Sequence, residues 1–205
     1  MDDQQKKLED QQKAEQQMAQ ATEALARGDL YNASMLVADA LAYEPMNQEW
    51  LGVLGQIFGA TQDPLSLVPI GAGQINFATG AARAYFLMLQ GDWPGCLDLL
   101  MQVVPIRPDV PYLEWAGQWF GVDQARAMPP DALLPTVNSP MVRLVENMAS
   151  PMAEDDPRRR TVAAAARVMA TLTEAHPNQA LFFFAGSLVS RRLGAAEEAV
   201  RLAQQ

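Results

Sequence analysis

The chain carries the same glycine-to-proline spacing twice, and this repeat constrains the fold more than any other feature. Gly28 precedes Pro45 by 17 residues, and Gly91 precedes Pro108 by the same 17 residues. Both copies then close on the pattern Gly-Gln-x-Phe-Gly. A helical hairpin cannot bury its apolar side alone, so repeated hairpins stabilise one another by stacking. The spacing therefore predicts a stack of helical hairpins.

Apolar residues in both copies recur at the spacing of amphipathic helices. In the first copy, residues 28–59, Asp29 is expected to cap a helix that ends before Pro45, and a further helix is expected over about 47–59. In the second copy, residues 91–121, the same order predicts a helix after Asp92 and a further one over about 110–120. The apolar positions that support the first helix of each copy are Leu30, Ala33, Val37, Ala40 and Leu41, and Leu97, Leu100, Met101 and Val104.

Small side chains mark three hairpin starts. Seven residues before Gly28, Gly91 and Gly194 stand Ala21, Ala84 and Ser187. Residues of this size let paired helices approach closely, so these three positions are expected to lie at helix contacts. The third hairpin would need a proline beyond residue 205 to match the other two. The chain is therefore expected to be a fragment that ends within a repeat.

The rest of the chain is predicted to be helical with two interruptions. Residues 1–13 read as a polar N-terminal extension, and residues 14–205 as one helical repeat domain with copies around 14–59, 80–121 and 157–205. Residues 60–79 and 121–138 are rich in glycine or proline and are expected to be irregular insertions or short helices.

Two serine or aspartate residues before proline predict further helix starts. Ser139-Pro140 and Asp156-Pro157 are good N-cap and first-turn pairs, for helices of about 139–149 and 157–175. Alternation of apolar and polar residues never extends beyond a few residues, so no strand is expected. The fold class that follows is all-α.

The repeated residues resemble the tetratricopeptide repeat (TPR) family, in which a helix with Leu-x-x-Leu-Gly-x-x-aromatic, a Gly-Asp turn and a second helix lead to a proline. The matching positions of the first copy are Leu51, Leu54, Gly55 and Phe58, and Ala33, Val37, Ala40 and Pro45; those of the second are Leu113, Ala116, Gly117 and Phe120, and Cys96, Leu100, Val103 and Pro108. The resemblance covers about half of the chain well. It implies a right-handed solenoid of α-α hairpins, here with irregular insertions.

Composition excludes several classes of function. The chain has 15 basic and 24 acidic residues, a net charge of −9, which argues against nucleic acid or an anionic membrane as the main partner. One cysteine and one histidine exclude a disulfide framework and a His/Cys zinc cluster, so no metal or other cofactor is expected. Neither a secretory signal nor a membrane span is recognised, which predicts a cytoplasmic protein.

Residues that could carry chemistry all have simpler structural explanations. Cys96 occupies a small-residue position of a packed helix, and His176 precedes a proline at a helix C-terminus. The run Arg158-Arg159-Arg160 could grip a phosphate or an acidic tail, but directly behind two aspartates it is more typical of a solvated, self-compensated turn. No nucleophile, base and carboxylate combine into a catalytic pattern, so the chain is expected not to be an enzyme.

An aromatic segment and an apolar insertion remain. Trp115, Trp119 and Phe120 crowd one short segment, so at least one of them is expected near a surface or an insertion. The apolar insertion 60–79 could be the lid of a pocket for a small apolar ligand, or it could fill the gap between hairpins.

The function predicted from the resemblance is a protein-protein interaction scaffold that binds a peptide or helix of a partner through the inner face of the helical array. The residues that the resemblance places on that face are Glu49, Gln56, Tyr85, Met88, Glu114, Gln118, Arg191 and Arg192. Two alternatives remain: a carrier or sensor of a small apolar ligand under residues 60–79, and the recruiting arm of a larger enzyme. The partner and the oligomeric state stay open.

Overall fold

The protein is all-α in the computed structural model, which describes residues 3–71 and 76–205. Across these residues 72% of the chain is helical and no strand forms. Residues 1–2 of the predicted extension and residues 72–75 of the first insertion lie outside the described residues. The expected all-α fold class is therefore confirmed for the described ranges.

The chain divides into two compact units, Met1–Asp92 and Trp93–Gln205. The helices of the first unit are α1 (Asp3–Ala26), α2 (Leu30–Leu41), α3 (Gln48–Gly59) and α4 (Phe77–Leu89), with a short 3₁₀ helix at Pro64–Leu67. In this unit α2 packs against α1, α3 and α4, so it forms the centre of the core. Its inward face consists of Ala33, Val37, Ala40 and Leu41, all at most 1% exposed.

The second unit contains seven α-helices among the residues that the structure describes. They are α5 (Trp93–Val103), α6 (Val122–Ala127), α7 (Pro130–Leu133), α8 (Ser139–Glu146), α9 (Arg159–Ala175), α10 (Ala180–Leu193) and α11 (Ala196–Ala203). A 3₁₀ helix lies at Tyr112–Gln118 and a π-helix at Leu134–Asn138. Helix α10 packs against α8, α9 and α11, and has the central position that α2 has in the first unit.

The three predicted hairpin turns share one backbone geometry. Gly28, Gly91 and Gly194 have φ angles of 75°, 80° and 80°, the left-handed region that favours glycine. In each turn the residue after the glycine donates its N–H to the carbonyl five residues earlier, and the glycine donates to the carbonyl three residues earlier. The bonds are Asp29 to Ala24 (2.9 Å) and Gly28 to Leu25 (2.9 Å), Asp92 to Leu87 (2.9 Å) and Gly91 to Met88 (3.0 Å), and Ala195 to Ser190 (3.0 Å) and Gly194 to Arg191 (3.2 Å). This pattern is the Schellman motif.

The small residues before these turns are buried, as the spacing predicts. Ala21 and Ala84 are fully buried and Ser187 is 7% exposed. Helix α1 packs against α2, and α10 packs against α11. The three glycines are therefore confirmed as helix C-terminal turns, and a packed helix pair is shown around Gly28 and around Gly194; no finding shows a TPR solenoid.

The first copy forms the two expected helices. The Asp29 carboxylate caps α2 by accepting the Asn32 N–H at 3.2 Å, and the Asn47 side chain caps α3 by accepting the Trp50 N–H at 3.2 Å. Along α3, Trp50, Leu51, Leu54 and Ile57 are buried.

The expected α-helix over 110–120 is wrong. Residues Tyr112–Gln118 form a 3₁₀ helix instead, and no side chain caps its first turn. Val110, Pro111, Tyr112 and Leu113 are all buried in succession. A run buried on every side does not suit a helix with one apolar face, whereas the tighter 3₁₀ turn is used in short pieces of this kind.

Two predicted N-caps need correction. Helix α8 begins at Ser139 as predicted and ends at Glu146, but Ser139 is not an N-cap, because the chain is already helical from Pro130 through the π-helix. The predicted helix from 157 begins at Arg159, because Asp156 and Pro157 form the preceding turn, in which the Asp156 carboxylate accepts the Arg158 N–H at 2.9 Å. The short helices expected within 121–138 are confirmed.

No described helix is both long enough and apolar enough to cross a membrane. The boundaries predicted for the extension and the repeat copies stay predictions.

Candidate functional site

Helix α3 presents two of the predicted partner-binding residues on one exposed face. Glu49 and Gln56 are exposed and lie seven residues apart, which is two helical turns. Gly52 lies between them and is also exposed, and apart from its chain neighbours and the backbone of its own helix, no atom of the described residues lies within 4 Å of the position that a Cβ would take there. The face formed by Glu49, Gly52 and Gln56, called the α3 face below, is therefore polar and accessible down to its backbone.

Helix α4 holds the other two predicted residues of the first unit. Tyr85 and Met88 are both half-buried, and burial raises the pKa of the Tyr85 hydroxyl. Helices α3 and α4 pack together through Phe58 and Phe86, whose ring centroids are 5.6 Å apart. The structure thus brings α3 and α4 together, while it leaves Tyr85 and Met88 less accessible than the residues of the α3 face.

In the second unit, Glu114 and Gln118 lie on the 3₁₀ helix rather than on an α-helix. Gln118 is exposed. Glu114 accepts a bidentate pair of hydrogen bonds from Arg160 of α9, at 3.1 and 2.8 Å, and its side chain is only 16% exposed. An external partner that used Glu114 would have to displace Arg160.

The last two predicted residues lie at the end of α10 and differ in exposure. Arg191 is exposed, and its carbonyl accepts the Ser150 hydroxyl at 3.2 Å. Arg192 is half-buried and donates from Nε to the carbonyl of Val145 at 2.9 Å, which ties α10 to α8. Arg192 therefore has a structural role inside the second unit, and Arg191 is the more accessible of the two.

The run of three arginines makes bonds within the second unit. Arg158 donates to both carboxylate oxygens of Asp156, at 2.9 and 2.7 Å, and these bonds lower the pKa of Asp156 to about 2. Arg159 donates to the carbonyls of Met152 and Leu193, at 3.3 and 3.2 Å. Only Arg158 pairs with an aspartate of the preceding turn, as the sequence predicts, whereas Arg159 and Arg160 lie in α9 and bond to acceptors elsewhere in the second unit.

Cys96 and His176 have the structural surroundings that the sequence predicts. Cys96 is 2% exposed on α5. The His176 Nε2 lies 2.9 Å from the carbonyl oxygen of Ala125, and its ring centroid is 5.9 Å from that of Phe182. In the tautomer with a proton on Nε2, the imidazole donates this bond and links the end of α9 to α6.

Acidic, cysteine and histidine side chains of the described ranges 3–71 and 76–205 form no group of three or more that could hold a metal ion.

The described part of the insertion 60–79 is held against helices α2 and α4. Arg83 of α4 donates to the carbonyls of Leu65 and Val68, at 2.7 and 3.2 Å, and the Ser34 hydroxyl of α2 donates to the Leu67 carbonyl at 2.9 Å. Val68 is fully buried. These contacts are typical of a segment that fills space between helices, while the role of a lid stays an untested hypothesis.

Sequence reasoning did not identify the residue on which Trp119 of the second unit stacks. Trp119 is half-buried and stacks on Trp93 of α5, with ring centroids 5.0 Å apart and an interplanar angle of 22°. Phe120 packs edge-on against Trp119 at 5.5 Å. The crowding of aromatic residues predicted that one of them lies near a surface, and Trp119 is that residue, but its partner is 26 positions away in sequence and no local signal indicates it.

Comparison with known proteins assigns no relative: no family model matches the chain, and neither a curated protein nor a solved structure is significantly similar to it.

Proposed function

We propose that the chain is a non-enzymatic scaffold of TPR-like helical hairpins that binds an extended peptide or a helix of a partner protein. The observation that carries the proposal is the recurrence of one Schellman turn at Gly28, Gly91 and Gly194, each after a buried small residue. Proteins built from stacked hairpins use the surface of the stack for recognition.

The α3 face is the part of the predicted binding surface that is best placed to meet a partner. Glu49 and Gln56 are exposed, and neither is needed to cap a helix or to hold two helices together. Amide and carboxylate side chains at this spacing can bond the backbone of a bound peptide over two helical turns. Gly52 leaves the helix backbone open between them, so a bound chain can lie close to α3.

A capture experiment with a matched control tests this proposal. The double variant E49A/Q56A removes both polar side chains of the α3 face. The control Q16A/E23A removes one amide and one carboxylate, also exposed and seven residues apart, from α1. Partners captured by the wild type are identified by mass spectrometry, and the binding segment is made as a synthetic peptide.

We expect the peptide to bind the wild type and the α1 control equally, and to bind E49A/Q56A about tenfold more weakly, because interface energy is concentrated in a few residues. Circular dichroism verifies that all three proteins are folded. Equal affinity for E49A/Q56A and the wild type would reject the α3 face as the binding surface.

A further inference from the structure

The second unit contains an apolar pocket between the first turns of α5 and the segment that runs from the end of α6 into the π-helix. Its volume is about 130 Å³. Leu97, Met128 and Leu133 form a buried floor, with exposed fractions of 0%, 6% and 2%. Exposed residues, among them Pro129 and Ala132, form its rim. The pocket is therefore a surface cavity with a buried apolar floor and an open mouth.

The chemistry of the lining restricts what the pocket can hold. Thr136 is the only residue with a polar side chain around it, and no charged residue lines it. An ionised carboxylate, phosphate or ammonium group would lose its hydration in the pocket without gaining a partner of opposite charge, which is strongly unfavourable. The lining thus favours an uncharged apolar ligand and provides at most one hydroxyl group for a hydrogen bond.

The volume sets the size of that ligand. An apolar cavity of roughly 150 Å³ in another protein binds benzene. A pocket of about 130 Å³ accordingly has room for a single six-membered ring or a hydrocarbon group of similar bulk.

The backbone around the pocket has a rare conformation. Thr136 belongs to the π-helix Leu134–Asn138, and Leu133 immediately precedes it. Turns of this type are uncommon and occur frequently at functional sites. Two of the lining residues are therefore positioned by a widened turn that an ordinary α-helix would not form.

We propose that this pocket is a binding site for a small, uncharged apolar molecule of about the size of benzene. This site is distinct from the α3 face, and it lies at the second insertion rather than under residues 60–79. The proposal does not depend on the scaffold function, since either site could fail its test while the other passes.

Benzene is the probe that tests the proposal, and the ε-methyl NMR resonance of Met128 is the reporter. The resonance is assigned by its loss in M128L, and the full chain is titrated with benzene and, separately, with benzoate. We expect benzene to shift the Met128 signal saturably and benzoate to leave it unchanged. No saturable shift with benzene, or an equal response to benzoate, would overturn the proposal.

A variant that fills the pocket and a matched control outside it test whether benzene binds in this pocket. A132L adds a bulky side chain at the rim of the pocket, and A170L makes the same change at an exposed position of α9 outside it. We expect A132L to weaken benzene binding by about tenfold or more and A170L to leave it unchanged. Undiminished binding by folded A132L would place benzene elsewhere and reject the site.

A peptide mimic distinguishes a free ligand from an apolar side chain of a partner. Binding of N-acetyl-leucine amide without binding of benzene would assign the pocket to a partner's side chain and overturn the proposal. If A132L does not fold, the titrations of the wild type with benzene, benzoate and N-acetyl-leucine amide still accept or reject the proposed site.

Discussion

The segments that follow Pro45 and Pro108 begin from the same spacing and form different helices. After Pro45, Asn47 caps α3 and the chain is α-helical from Gln48 to Gly59. When the copies are aligned on their closing Gly-Gln-x-Phe-Gly pattern, Asp109 matches Asn47, and its carboxylate instead accepts two hydrogen bonds from Arg107, at 2.9 and 2.6 Å. The next residues form a 3₁₀ helix without a side-chain cap. The repeat spacing thus determines the turn and the first helix of each copy. Local capping and burial determine whether the second helix is an α-helix or a 3₁₀ helix.

The largest expected effect on stability is at one aligned position, where the two segments differ in packing. Val53 is half-buried in α3, whereas the aligned Trp115 is 2% exposed and packs edge-on against Tyr112 at 4.8 Å. We expect W115A to lower the free energy of unfolding by ~3–5 kcal/mol, because it leaves a large cavity. V53A should cost less than about 1 kcal/mol. Urea unfolding followed by circular dichroism measures both. Similar costs would mean that residues 112–118 have the same packing as α3.

Much of the fold could be predicted because it depends on local chemistry. A glycine after an amphipathic run, preceded seven residues earlier by a small side chain, is sufficient to locate the turns at Gly28, Gly91 and Gly194. The 3₁₀ helix could not be predicted from the repeat, since the burial of Val110 and Pro111 arises only in the folded unit.

The candidate sites were less predictable than the turns. Exposure of Glu49 and Gln56 follows from the helical period of α3. The bonds that occupy Glu114 and Arg192 come from residues 46 and 47 positions away, so no sequence pattern indicates them. The apolar pocket also depends on residues from distant segments, Leu97 of α5 and Leu133 of α7.

The next prediction concerns a buried small residue that both copies have in their first helix. Ala33 of α2 and Cys96 of α5 occupy aligned positions, with exposed fractions of 0% and 2%. We expect A33L and C96L each to cost ~1–3 kcal/mol, because added carbons at a closely packed helix contact force the neighbours apart. Urea midpoints check this, and an unchanged midpoint in both variants would show that the repeat register is wrong.

A smaller effect tests whether the first two turns are equivalent. Gly28 and Gly91 have positive φ, and apart from their chain neighbours, no atom of the described residues lies within 4 Å of an added Cβ at either position. The penalty of G28A and G91A should therefore come from the backbone alone, at ~1–2 kcal/mol each. Thermal or urea unfolding compares the two variants with G52A, an ordinary helical position that should not lose stability. Clearly unequal penalties would show that the two turns differ.

The smallest expected effect on stability concerns Asn47 and Asp109, the aligned pair at which the two segments begin to differ. The Asn47 side chain caps α3, so N47A should lower the free energy of unfolding by about 1 kcal/mol. Asp109 makes an exposed ion pair with Arg107, and no side chain caps the 3₁₀ helix that follows, so D109A should lower stability by less than N47A does. Urea unfolding of both variants measures the difference, and hydrogen exchange of the first turn of α3 should increase in N47A. If D109A were as destabilising as N47A, Asp109 would act as a helix cap in solution, and the segment after Pro108 would have to be α-helical like the segment after Pro45.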